Sequence, residues 1–195
     1  MISAAILLAG QLDWAAIQLG FISLRVAATS SPPDHLFRVP AWLTPLTATL
    51  VHGGIAHIAF NLVMLAYCGQ ATEKVVGSVG VMILYVVGAY FAAFGQWVMD
   101  PSLVQPMIGA SGAISAVVGA YALLFGRRRA AAIGPVSGDV VHIVWLALAW
   151  AGIQLLIGFA GIGMGGNIAI GAHIGGFIVG LLLARPLMLW RYRHA

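Results

Sequence analysis

The stretch GASGAISAVVGAYALLFGRRR, residues 109–129, decides how this chain is to be read. From Gly109 to Phe125 it carries no charge, and it stops on Arg127-Arg128-Arg129. A spanning helix needs roughly 20 mostly apolar residues, and a basic block at its end sits well among anionic headgroups. Further segments on either side read the same way. One runs from about Gly54 to Thr72 and stops at Glu73-Lys74. Another runs from about Val79 to Met99 and stops at Asp100-Pro101. Beyond the arginines come Val140 to Phe159, the glycine-rich stretch Gly161 to Gly166, and Ile168 to Leu183, which stops at Arg185-Pro186. The expected fold class is all-α: a polytopic membrane protein built as a bundle of transmembrane helices.

Composition points the same way. Apolar residues make up 62% of the 195 and charged residues 7%, against roughly 45–50% and about 25% in a soluble domain. So few charges cannot cover a water-facing surface. The surrounding solvent is lipid, and every backbone polar group must be satisfied internally. Twenty-five glycines suit helices that approach closely in a membrane. One domain over residues 1–195 suffices for this length. The net charge of +4 does not indicate nucleic acid, because the arginines cap apolar segments. The single cysteine, Cys68, cannot form an intrachain disulfide.

The N-terminal stretch Met1 to Gly10 is too short to span alone and lacks the basic start of a signal peptide. Either one helix runs on through Gln11, Asp13 and Gln18, or the chain enters partway into a longer first helix; the second is the expectation. A polar loop of roughly residues 23–45 follows, with Ser30-Ser31-Pro32-Pro33-Asp34-His35 and an amphiphilic later part around Trp42 that suits the interface.

Placing the ends of the Gly54, Gly109 and Ile168 segments inside puts Lys74, Arg127, Arg128, Arg129, Arg185, Arg191 and Arg193 on the cytoplasmic side. Only Arg25 and Arg38 of the nine basic residues stay outside, which satisfies the positive-inside rule. These three segments then run parallel. Four polar residues lie at lipid depth, where polar groups are costly and suggest function: His57, Asn61, Ser111 and His173. Ser111 precedes Arg127, and His57 precedes Glu73, by 16 residues each, or about 24 Å of helix. Asn61 and His173 precede Glu73 and Arg185 by 12 residues each, or about 18 Å. All four fall in the outer half of a core about 30 Å thick.

Taken singly, each has an ordinary explanation. A membrane serine usually bonds back to its own helix or packs as a small residue. A lone histidine is as readily a packed side chain or a metal or haem ligand. His57 and Asn61, four apart, could be an interhelical hydrogen-bonding pair. One shared layer makes a catalytic set the better account. Serine needs a base to become a nucleophile, and His57 and His173 are the candidates. Hydrocarbon favours a neutral imidazole, which can accept a proton. Of the acids Asp13, Asp34, Glu73, Asp100 and Asp139, only Asp13, in the first segment, could approach this depth. The expectation is a Ser–His dyad without a carboxylate. His57, Asn61 and the Ser111 amide are available as oxyanion donors.

Gly109-Ala110-Ser111-Gly112 resembles the GxSG motif of the rhomboid family of intramembrane serine proteases. His52-x4-His57-x3-Asn61 resembles its histidine and asparagine pattern, Ala172-His173-x2-Gly176-x3-Gly180 its AHxxGxxxG motif, and Glu73-x3-Gly77 a further family feature. The resemblance covers about Trp42 to Pro186. It implies a six-helix membrane bundle with a water-filled cavity open to the outside. It implies Ser111 as nucleophile, His173 as base and then acid, and His57, Asn61 and the Ser111 amide around the oxyanion. His52, Gly109, Gly112, Glu73, Gly176 and Gly180 would support them. Substrates would be single transmembrane helices that unwind near their outer ends, with a small residue before the cut. No metal or other cofactor is implied. The setting would be membrane lipid, in the inner (cell) membrane of a bacterium.

Small residues fit this arrangement. Ser111, Ser115 and Gly119 on one helix and Gly176 and Gly180 on another repeat every fourth position, and their close approach would bring Ser111 to His173. The glycine-rich stretch could cap the cavity or be a plain connector. Two positions depart from the bacterial pattern: Ser115 stands where some members stack an aromatic ring on the catalytic histidine, and Leu43-Thr44 stands about where they carry a Trp-Arg pair. A catalytically silent binder of membrane helices would have lost the nucleophile or base, and this chain keeps both. A transporter would show inverted repeats or embedded carboxylates. A haem or metal protein would use His52, His57 and His173, for which no ligand spacing speaks.

Overall fold

The structure is a computed structural model that describes residues 2–26, 36–126, 130–161 and 169–193. Arg127 to Arg129, the proline-bearing part of the first loop with Asp34, and all of the glycine-rich stretch after Gly161 lie outside the described residues. Among the described residues the chain is helical, with only two isolated β-bridges. The elements are α1 (Ile2–Leu8), α2 (Leu12–Leu19), α3 (Thr44–Thr47), α4 (Ile55–Met64), α5 (Gln70–Met99), α6 (Ser111–Phe125), α7 (Gly138–Gly161) and α8 (Ile170–Arg191).

The N-terminal stretch is not one continuous helix. The chain turns at Ala9-Gly10, where Gly10 takes φ +65°, a region a side chain rarely adopts. Two short helices result, neither long enough to cross a bilayer. Among the described residues, the helices long and apolar enough for that are the run Ile55–Met99 and α8, with Ser111–Phe125 and Gly138–Ile153 as shorter apolar helices. The six crossings implied by the resemblance are therefore not displayed as six long helices.

The run Ile55–Met99 is two limbs. A π turn, Leu65–Gly69, joins α4 to α5, and α5 breaks at Gly77, where φ is +79°. Arg191, at the end of α8, donates from Nη1 to the carbonyls of Glu73 and Lys74, 2.8 Å each. It thus satisfies carbonyls that the end of a helix leaves open. Ser78 Oγ–H donates to Glu73 Oε1 across the break.

Glycine sets the packing of α5, α6 and α8. A Cβ on Gly176 would stand 2.1 Å from the Gly112 carbonyl oxygen, one on Gly180 2.0 Å from that of Ala116, and one on Gly119 2.3 Å from that of Phe177. The pairs 112–176 and 116–180 rise together in number, so α6 and α8 are parallel. A Cβ on Gly95 would meet the Gly171 carbonyl at 2.3 Å and one on Gly175 the Phe91 carbonyl at 2.3 Å, so α5 runs against α8. Tyr67–Tyr121 (ring centroids 5.8 Å apart) and the closeness of His57 to Gly109 set α4 parallel to α6.

The first loop is anchored by Arg25. Its Nη2 donates to the Val39 carbonyl at 2.9 Å and its guanidinium lies 3.7 Å from the Phe37 ring centroid. Phe21 and Met107 exchange two backbone hydrogen bonds of 3.0 and 2.7 Å, and Thr47 Oγ1–H donates to the Leu19 carbonyl at 2.7 Å. The loop is thereby tied to the segment that leads into Ser111.

Candidate active site

Ser111 is the first residue of α6 and His173 lies one turn inside α8. The parallel glycine seam brings the two helices close enough for Ser111 Oγ and His173 Nε2 to stand 2.8 Å apart. That is hydrogen-bonding distance for a proton transfer between hydroxyl and imidazole. As the opening residue of its helix, Ser111 has no carbonyl one turn earlier in that helix for its N–H to bond.

His57 faces this pair from α4. Gly53 N–H donates to His57 Nδ1 at 3.3 Å, which leaves the proton on Nε2. A Cβ on Gly109 would stand 2.7 Å from His57 Nε2 and 3.8 Å from Ser111 Oγ. The room a glycine leaves there is thus shared by the hydroxyl and an imidazole N–H. Gly109 also takes φ +111°, so its identity is required twice. Asn61 is buried one turn further along α4, and its Nδ2 donates to the His57 carbonyl at 2.9 Å; the second N–H of that amide is left for another acceptor.

His52 is buried just ahead of α4. Its Nε2 accepts the Ala110 N–H at 3.3 Å, and its ring meets that of His57 edge-on at 5.0 Å. Gly109 N–H donates to the Ala48 carbonyl at 2.9 Å. Both backbone amides before Ser111 are therefore held from the same short segment. Gly112, Gly176 and Gly180 lie in the seam, while Glu73 sits far off at the Gly77 break.

Ser115 bonds back within its own helix. Its Oγ–H donates to the Ser111 carbonyl at 2.8 Å within α6. Trp150 of α7 acts on His173 instead: its Nε1–H donates to the His173 carbonyl at 3.1 Å, and its indole stacks on Phe177 with centroids 4.7 Å apart and planes 8° from parallel. Neither Trp150 nor Ser3, whose Oγ lies 2.8 Å from His52 Nδ1, carries a signal in the sequence. Each is an ordinary residue of an apolar segment until the fold supplies its partner. Three of the acids are engaged elsewhere: Asp139 with Arg185 at 2.8 Å, Asp100 with Ser102, and Glu73 with Ser78. Among the described residues, no group of three or more His, Cys, Asp and Glu is placed to hold a metal ion.

A hydroxyl paired with one imidazole, beside the N–H of a second, has the parts that acyl transfer uses. Known proteins resemble this chain over most of its length. The Rhomboid domain family matches residues 40–190. Rhomboid protease GluP of Bacillus subtilis is 30% identical over 164 residues, 84% of this chain and 30% of that protein. Rhomboid protease GlpG of Photorhabdus laumondii is 34% identical over 151 residues, 76% of this chain and 47% of that protein. The same-named protein of Serratia proteamaculans is 32% identical over 167 residues, 85% and 53%. The chain spans about half the length of these relatives or less.

Proposed function

This chain belongs to the rhomboid family of membrane proteins, and from that premise we propose that it is an intramembrane serine endopeptidase whose nucleophile is Ser111 and whose base is His173. The observation that carries the reading is the 2.8 Å separation of Ser111 Oγ and His173 Nε2. In the proposed reaction Oγ attacks the substrate's peptide carbonyl as its proton passes to Nε2. The oxyanion forms beside the Ser111 amide, His57 Nε2–H and the second amide N–H of Asn61. The imidazolium then returns the proton to the leaving nitrogen, the C–N bond breaks, and an acyl-Ser111 ester remains. Water, deprotonated by His173, hydrolyses that ester. No metal or other cofactor enters this scheme.

The substrates are transmembrane helices cut near the outer face, reached from within membrane lipid, and the setting is the inner membrane of a bacterium, which the chain crosses several times. Incubating the purified protein in lipid with a helical membrane substrate tests the reading. Wild type should cleave it. Ser111→Ala and His173→Ala should each lose at least about a thousandfold, and the double variant should be no worse than either single one, because the pair acts as a unit. A serine-directed fluorophosphonate should label Ser111 only when His173 is present. Cleavage surviving in Ser111→Ala would end the proposal, and binding of helices without cleavage by wild type would favour a silent helix-binding member.

A further inference from the structure

The N-terminal helix α1 (Ile2–Leu8) reaches the nucleophile loop through one polar side chain. Ser3 Oγ lies 2.6 Å from the Leu50 carbonyl oxygen and 2.8 Å from His52 Nδ1. A carbonyl only accepts, so the Ser3 hydroxyl proton goes to Leu50. Ser3 Oγ must then accept from His52, which places the imidazole proton on Nδ1. His52 Nε2 is left bare, and it is the atom that accepts the Ala110 N–H at 3.3 Å. Every proton in the chain Leu50–Ser3–His52–Ala110 is thus assigned by its neighbours.

We propose that Ser3 is a positioning residue for the nucleophile: it fixes the tautomer of His52, and His52 in that tautomer holds the Ala110 amide and with it the loop that presents Ser111. This rests on the protease reading above. Ser3 lies outside residues 40–190, where the family match falls, so no motif assigns it. The reason the tautomer matters is steric as well as electronic. With its proton on Nε2, His52 would point a donor at the Ala110 N–H, and two buried donors would face each other without an acceptor. Ala110 immediately precedes Ser111, so movement there changes the approach of Oγ to His173 Nε2.

The test uses the whole protein in lipid, labelled with 15N-histidine, with His52 identified by the signals missing from His52→Gln. Wild type should show His52 protonated at Nδ1 and bare at Nε2. Ser3→Ala should shift that signal toward a mixture of tautomers and lower kcat roughly five- to tenfold with KM within about twofold. Ser3→Thr, which keeps the hydroxyl, should restore both the signal and most of the rate. A wild-type His52 protonated at Nε2 overturns the proposal even if Ser3→Ala does not fold. So does a folded Ser3→Ala with wild-type tautomer and kcat. A wild type that cleaves no substrate ends the protease reading instead, and the tautomer measurements still decide whether Ser3 sets His52.

Discussion

Gly109 is constrained twice over, by its own backbone and by what stands beside it. With φ at +111° and His57 Nε2 2.7 Å from where a Cβ would sit, even the smallest side chain strains the turn and displaces the imidazole. Gly109→Ala should therefore lower kcat at least about tenfold, while Ser115→Ala, which removes only a bond from Ser115 back to the Ser111 carbonyl, should stay within about twofold of wild type. Equal effects of the two substitutions on cleavage would contradict this account. Ser111, His173, His57 and Asn61 were legible as one layer because depth in a membrane helix can be counted from its charged end. Ser3 and Trp150 were not, because a hydrogen bond across helices leaves no spacing in the sequence; His52 was named by the resemblance, without its bond to the Ala110 amide. The position of Ser115 warned that His173 lacks an aromatic ring from α6. It could not say that α7 supplies an indole to the histidine's carbonyl.

At the level of helices, the seam between α6 and α8 controls the distance that matters. Small residues at every fourth position announce it, and the structure shows why nothing larger fits: the Gly112 and Ala116 carbonyls occupy the places where Gly176 and Gly180 would carry Cβ atoms. The obstruction is backbone, which cannot rotate away as a side chain can. Gly176→Ala should push α8 outward, cost on the order of 1–3 kcal/mol of stability, and widen the Ser111–His173 gap one turn away. Thermal unfolding in lipid should show the lost stability, and fluorophosphonate labelling of Ser111 should slow in the molecules that remain folded. Unchanged labelling with a lowered Tm would mean that the dyad is held by something other than this seam. The end of α5 was readable from Asp100-Pro101, but the stops expected at Glu73-Lys74 and Arg185-Pro186 are not there: α5 runs through the first pair to its break at Gly77, and α8 carries Pro186 inside it and continues to Arg191. The turn at Gly10 was not readable, since a glycine followed by Gln11-Leu12-Asp13 can continue a helix or end one, and the positive φ at Gly10 is what decides it.

For the whole molecule, direction follows from charge and packing together. Large apolar side chains such as Ile55, Phe60, Leu62, Val63, Leu148 and Leu182 stand exposed on the helices, a surface that lipid covers and water would not tolerate. The parallel course of α4, α6 and α8 puts all their later ends on one side, with Lys74, Arg185 and Arg191, and leaves residues 102–107 on the other. Cys68 provides a silent background for testing this, because it is the only cysteine and it is buried. Ser102→Cys, before α6, should react with a membrane-impermeant maleimide in right-side-out vesicles, and Ser137→Cys, before α7, only in inverted ones. Wild type should label in neither. If Ser102→Cys and Ser137→Cys labelled from the same side, α6 could not cross the bilayer between them. Ser111 would then lose its depth, and the argument from a shared layer would fall with it.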